Sequence, residues 1–232
     1  SLHDALPISF NYTYNIAKNL ERSLLMSNLF NPYNPIMEFL SKIFDLIILN
    51  LLFILSCIPL ITVGASISAL SHITLKIVKG EDPYIWSGFW KSFRQNFKQG
   101  TLLWFFSILI FIFLKMDFSI INSQAIPAFM VIRIFLWIIC IIALSMFLYI
   151  FPIISHFVCT TKQALKNALF MTFGYFPYTM LLLVITGLIL FLCSISQKIF
   201  ALIIVINCIC GCSFLSLLYS LIFNHIFKKY EP

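Results

Sequence analysis

The residues best placed to do chemistry in this chain are few, and they lie in long apolar runs. Asp45 and Lys76 form a candidate intramembrane ion pair, and Asn50, Ser68, His72 and Asn207 are candidate members of a polar path. An ionisable side chain inside a membrane-crossing helix costs roughly 2.5–3.5 kcal/mol on insertion scales, so it is expected to find a partner or to mark a route. His72 could titrate near neutrality; a hydrogen bond to a neighbouring helix is the plainer reading. For the pair, the plainer reading has Lys76 reaching to water and Asp45 sitting among lipid headgroups. The path competes with packing, because Gly64, Ala65, Ser68 and Ala69 form a small-residue edge that lets helix backbones approach.

Patterns that would make the chain an enzyme are not found in the sequence. It has no H-E-x-x-H metal site, no paired intramembrane carboxylates, no G-x-S-x-G elbow and no G-x-x-x-x-G-K-[ST] loop. We therefore expect no catalytic residues, no metal and no cofactor. The seven cysteines include Cys57, Cys140, Cys193, Cys208, Cys210 and Cys212 in apolar runs, with Cys159 just beyond one, and read as small polarizable filler. Cys208, Cys212, Ser216 and Ser220 recur every four residues beside Gly211, a second helix-packing stripe.

Positioning these residues requires helices in lipid. Hydrophobic residues make up 61% of the 232 and charged residues 10%, against about a quarter charged in soluble domains. No charge occurs in 46–75, 134–161, 167–197 or 199–227, and each run exceeds the roughly 20 residues that cross a hydrocarbon core. In lipid the backbone must satisfy itself, so such runs read as helices. The expected fold is an all-α polytopic transmembrane bundle with six spans, near 39–58, 61–80, 101–121, 128–150, 173–193 and 199–223. Five spans result if 46–75 is one long tilted helix; Pro59 and Gly64 favour a hairpin there, since proline breaks a helix and glycine permits reversal. A reversal centred on 60–61 would bring Asp45 level with Lys76, and Asn50 level with Ser71 and His72.

With both termini inside, Lys42, Lys76, Lys79, Lys91, Arg94, Lys98, Lys162, Lys166, Lys228 and Lys229 are cytoplasmic, against Lys115, Arg133 and Lys198 outside. That asymmetry orients the chain in a plasma membrane, and it accounts for the net charge of +7 without nucleic acid. Between spans two and three, Asp82 can cap a helix starting at Pro83. Trp86, Phe89, Trp90, Phe93 and Phe97 then share one face, and Lys91, Arg94 and Lys98 the other. This reads as a cytoplasmic amphipathic helix lying in the bilayer interface; docking a cytoplasmic partner is its alternative use. The basic segment 93–103 has a weak echo in 160–170, as an internal duplication would produce.

Residues 1–25 are expected to be a non-native leader, since Ser1–Ser9 looks like a translated sequencing adapter, and 26–232 to be one integral membrane domain. From Asn31 to Met116 the chain resembles the YesL-like family of bacterial multi-pass membrane proteins, a domain of unknown function. The matching features are Asn34-Pro35, Asp45 with Leu49-Asn50-Leu51, Pro59 with Thr62-Val63-Gly64, Gly80-Glu81, and Phe89, Phe93 and Asn96-Phe97. Such proteins are often encoded beside carbohydrate-uptake transporters. The resemblance therefore implies an accessory role in sugar uptake, with a transporter subunit or other membrane protein as partner besides the lipid bilayer. A small-solute transporter or channel is the competing expectation.

Overall fold

The computed structural model describes residues 35–81, 83–122 and 129–230. The chain divides into two units, Ser1–Asp45 and Leu46–Pro232; the expected leader and Asp82 lie outside the described residues. The elements are α1 (Pro35–Cys57), a 3-10 turn (Leu60–Thr62), α2 (Val63–Val78), α3 (Ile85–Asn122), α4 (Phe129–His156), α5 (Thr161–Gly174), α6 (Phe176–Ile195), α7 (Gln197–Ile206), a π-helical segment (Asn207–Gly211) and α8 (Cys212–Phe227). Among the described residues six helical stretches are long and apolar enough to cross a membrane: Phe39–Cys57, Leu60–Val78, Ile85–Ile121, Met130–His156, Phe176–Ile195 and Gln197–Phe227. The fold is an all-α polytopic bundle.

In the second unit α2 is the central helix. Ten of its sixteen residues are buried, including Gly64, Ala65, Ser68, Ala69 and Ile73, whereas the other apolar helices expose most of their surface, as lipid-facing helices do. The reversal before it is pinned by Thr62 Oγ1, which lies 2.6 Å from Ser56 O and 2.7 Å from Pro59 O. Leu49 and Leu52 share one buried cluster with Ala69, Leu70, Ile73 and Phe89, as a reversal near residue 60 requires. At its other end α2 stops in a Schellman motif: Gly80 N donates to Ile77 O and Glu81 N to Lys76 O. Gly80 there has φ 76°, a backbone conformation that side chains with a Cβ resist.

The loop helix and the third span differ from expectation. They are not separate elements but one continuous helix, α3, of 38 residues, and its first half does not lie apart as a surface helix. It packs along α2: Gly88 meets Ile73, Gly100 meets Ala65, and Trp104 Nε1 donates to Leu60 O at 2.9 Å. The physical reason is that Phe89 and Phe93, read as lipid-facing, belong to the α1–α2 cluster, where Phe89 is wholly buried. No proline or polar turn interrupts 85–122, and α2 approaches Gly100 closely enough to leave no room for a Cβ.

The other boundaries shift for local reasons. Pro152 is accommodated inside α4, which continues to His156. The fifth apolar run starts at Phe176, because Pro177 occupies its first turn and Tyr175 leaves helical geometry. Residues 161–174 then form their own helix, opened by a capping box in which Gln163 N donates to Thr160 Oγ1 and Thr160 N donates to Gln163 Oε1. The last apolar run, expected as one plain helix, is interrupted by the π segment.

Candidate functional site: a polar clasp on the last helix and the seam beside it

The π segment frees backbone groups that an α-helix would pair, and Asn50 takes them up. Its Nδ2 donates to Asn207 O at 2.9 Å and to Cys208 O at 3.0 Å. Its Oδ1 accepts from Ser213 N and from Ser213 Oγ, both at 3.2 Å. An amide has two donor hydrogens and two acceptor lone pairs, so all four are used on one short stretch of the last helix. Asn50 and Ser213 are both fully buried. Asn207 completes the arrangement by folding over its own turn: Nδ2 donates to Ile203 O at 2.8 Å, and Oδ1 accepts from Cys212 Sγ at 3.5 Å. Single π turns inside α-helices recur at functional sites, and here one is held by a side chain 157 residues away.

Beside the clasp, α2 meets α8 through hydroxyls. Thr74 Oγ1 donates to Leu70 O at 3.0 Å and stands 3.0 Å from Ser216 Oγ and 2.7 Å from Ser220 Oγ. On the opposite side, His72 Nδ1 lies 3.0 Å from Ser155 O of α4. A carbonyl only accepts, so Nδ1 carries the proton in this pair. Ser68 Oγ donates back to Gly64 O at 2.9 Å. Between α1, α2, α4 and α8 lies a cavity of about 220 Å³, walled mainly by Phe53, Leu70, Phe147, Phe151 and Phe223, with the hydroxyls of Ser71, Ser216, Tyr219 and Ser220 in its lining.

The structure therefore brings Asn50 and Asn207 together, while His72 turns to α4 and Ser68 is tied to its own helix. Lys76 Nζ is 3.9 Å from Glu81, both half-exposed, a geometry worth little to stability; Asp45 belongs to the first unit. On α3, Phe89 is buried, Trp90 and Phe93 are half-buried in the same cluster, and Trp86, Arg94 and Phe97 are exposed. Pro59 ends in extended geometry before the reversal, and Gly64 faces Gly100 and Trp104. Along the expected stripe, Ser216 faces α2 and Cys212 lines the cavity, but Cys208 is exposed. Gly211 makes room for the side chain of Asn207 rather than for another helix. Among the described residues no three His, Cys, Asp or Glu side chains converge as metal ligands would.

Sequence reasoning missed Thr74, Gly100 and Ser213. Gly100 carried a usable signal, a glycine at the point where α3 passes from basic to apolar. Ser213 carried none, because only the π segment turns it toward Asn50. Replacing Thr74 by valine keeps the shape and removes the hydroxyl that holds Ser216 and Ser220. We expect a stability loss of about 0.6–1.7 kcal/mol, the range for interhelical hydrogen bonds in membrane bundles, read as a lower melting temperature of the detergent-solubilised chain. An unchanged melting temperature would show that the two serines hold α8 without it.

These features define a class: a polytopic helical membrane protein organised around one buried central helix. Residues 46–118, which carry the end of α1, all of α2 and most of α3, match the model of a family described as "Protein of unknown function, DUF624". The YesL-like proteins are the known group of that family, so the resemblance seen in the sequence holds over this segment. No curated protein and no solved structure matches the chain.

Proposed function

We propose that this membrane protein is a non-enzymatic accessory or regulatory component associated with carbohydrate uptake, seated in a bacterial plasma membrane with both termini cytoplasmic. One observation carries the reading: the interior polar groups that reach beyond their own helix are spent on holding helices together. Asn50, His72 and Thr74 each bond to another helix, which suits a scaffold better than a conduit. The exposed side of α3, with Trp86, Lys91, Arg94 and Lys98, is the surface we assign to a transporter subunit. The link to carbohydrate uptake rests on the YesL-like resemblance, and the cytoplasmic termini rest on the distribution of Lys and Arg.

The second reading, a small-solute transporter or channel, rests on the cavity of about 220 Å³ between α1, α2, α4 and α8, whose wall is mainly apolar with a few hydroxyl-bearing residues. Affinity purification of the full chain from native membranes separates the two. A transport-system subunit should co-purify with the wild type and be lost with Trp86→Ala, which removes an exposed aromatic and leaves the buried cluster intact. Solute uptake by the purified chain alone in liposomes, with no co-purifying subunit, would replace the accessory reading with the transporter one.

A further inference from the structure

We propose that the cavity between α1, α2, α4 and α8 is a binding site for one uncharged, single-ring aromatic molecule that carries one oxygen. An open hydroxyl, Ser71 Oγ, stands there within a wall of aromatic rings.

Ser71 differs from the other hydroxyl residues of α2. Ser66, Ser68 and Thr74 each donate to the carbonyl four residues back, which satisfies a hydroxyl on a helix away from water. Ser71 Oγ makes no hydrogen bond with any described residue, although Ser71 is only 7% exposed. Its oxygen is not sealed off: it keeps accessible surface, and Ser71 lines the cavity. The other hydroxyls of the lining are already engaged, Ser216 and Ser220 with Thr74, and Tyr219 with Thr186. The wall therefore offers a guest one hydrogen-bonding side chain. A polar group taken out of water without a partner is unfavourable, and an oxygen on the ligand supplies the acceptor that Ser71 lacks.

The remainder of the wall sets the body of the ligand. Phe53, Phe147, Phe151, Tyr219 and Phe223 stand around a volume of about 220 Å³. An apolar cavity of about 150 Å³ holds one benzene, so this one has room for a ring with a small substituent. Aromatic side chains meet another ring edge to face or offset. Phe147 and Phe151 already meet in that way, with centroids 5.2 Å apart and planes at 76°.

Charge and hydroxyl count exclude other guests. None of the described wall residues is charged, and all belong to the charge-free runs 46–75, 134–161 and 199–227. An ionised ligand would enter without a counter-ion, and a sugar would leave most of its hydroxyls unpaired. Phe53, Phe147 and Leu215 are half-buried, so the cavity opens between apolar helices to a molecule dissolved in the bilayer. Binding here requires neither transport nor a partner, so it stands apart from both readings of the function.

The test is a titration of the full chain in nanodiscs with para-fluorophenol, followed by fluorine NMR, with empty nanodiscs measuring simple partition into lipid. We expect a saturable component of one molecule per chain above partition, displaced by para-cresol and not by glucose. Ser71→Ala should weaken para-fluorophenol about two- to twelvefold, the factors equivalent to about 0.5–1.5 kcal/mol for one neutral hydrogen bond. The same variant should leave the binding of fluorobenzene, which has no hydroxyl, unchanged, and this difference separates a lost contact from a changed shape. Leu215→Trp, which fills the cavity, should abolish the saturable component in protein that circular dichroism and a melting curve show to be folded; should it not fold, the two probes on Ser71→Ala decide alone. Uptake no greater than partition would overturn the proposal. So would an equal effect of Ser71→Ala on both probes, unchanged binding in folded Leu215→Trp, or displacement by glucose, which would make the cavity a site for polar solutes.

Discussion

Asn50→Leu is expected to lower the stability of the detergent-solubilised protein by about 2 kcal/mol, taking its four hydrogen bonds at about 0.6 kcal/mol each as in other membrane bundles. The lower figure is the right one to use, because a helix released within lipid or detergent finds other polar partners. The loss has a second component. Leucine leaves Asn207 O, Cys208 O and Ser213 N in an apolar interior without their partner, and an orphaned buried group costs about 1–3 kcal/mol. We therefore expect a drop of several degrees in melting temperature and, in the variant, loss of the π segment as the last helix re-forms α-helical hydrogen bonds. Hydrogen exchange at 207–213 reads that rearrangement directly. A melting temperature equal to that of the wild type would mean that the π segment sustains itself, and that Asn50 merely occupies the space beside it.

The second large effect is expected at the crossing of α2 and α3. A Cβ built on Gly64 would collide with Gly100 O and lie 2.7 Å from Trp104 Cβ. One built on Gly100 would lie 2.9 Å from Ala65 N and 3.0 Å from Ala65 Cα. These neighbours are backbone and a helix-fixed Cβ, so relief requires one helix to move. Overpacking of this kind costs about 1–3 kcal/mol, and moving the pair would also lengthen the Trp104–Leu60 bond. Gly64→Ala and Gly100→Ala should each destabilise the protein, and the double variant should lose less than the sum, because one displacement accommodates both. Gly187, in α6, has nothing within 4 Å of an added Cβ, and Gly187→Ala should leave the melting temperature unchanged or raise it. Equal behaviour of Gly64→Ala and Gly187→Ala would contradict the close crossing.

Hydropathy made the class of fold legible. Runs without charge longer than a bilayer is thick leave helices as the only economical structure, and the described helices follow those runs. Pro59 and Gly64 marked the first reversal, and Gly80 marked the end of α2. The continuity of α3 was not legible, because a basic face opposite Trp and Phe has the same periodicity whether the aromatic side meets lipid or another helix. What decides is the complementary edge on α2, and a glycine at 64 says nothing by itself about a glycine at 100. The π segment was hidden for a different reason. Hydropathy averages over turns and cannot register one extra residue in a turn of otherwise identical composition. The polar residues could be nominated from sequence, but Asn50 and Asn207 could not be matched, since nothing local records a contact across 157 positions.

The π segment also sets a rule for the length of the last helix. One residue more or less in a helix turns everything after it by about 100°. The extra residue within Asn207–Gly211 is therefore what aims Ser213 at Asn50 while keeping Ser216 and Ser220 on Thr74. Inserting a further residue there, which the one wide turn cannot also absorb, would swing all of α8 away from these partners together, although no contact residue had been changed. Along this stretch spacing carries as much information as identity, and drift by substitution is far easier to absorb than drift by insertion or deletion.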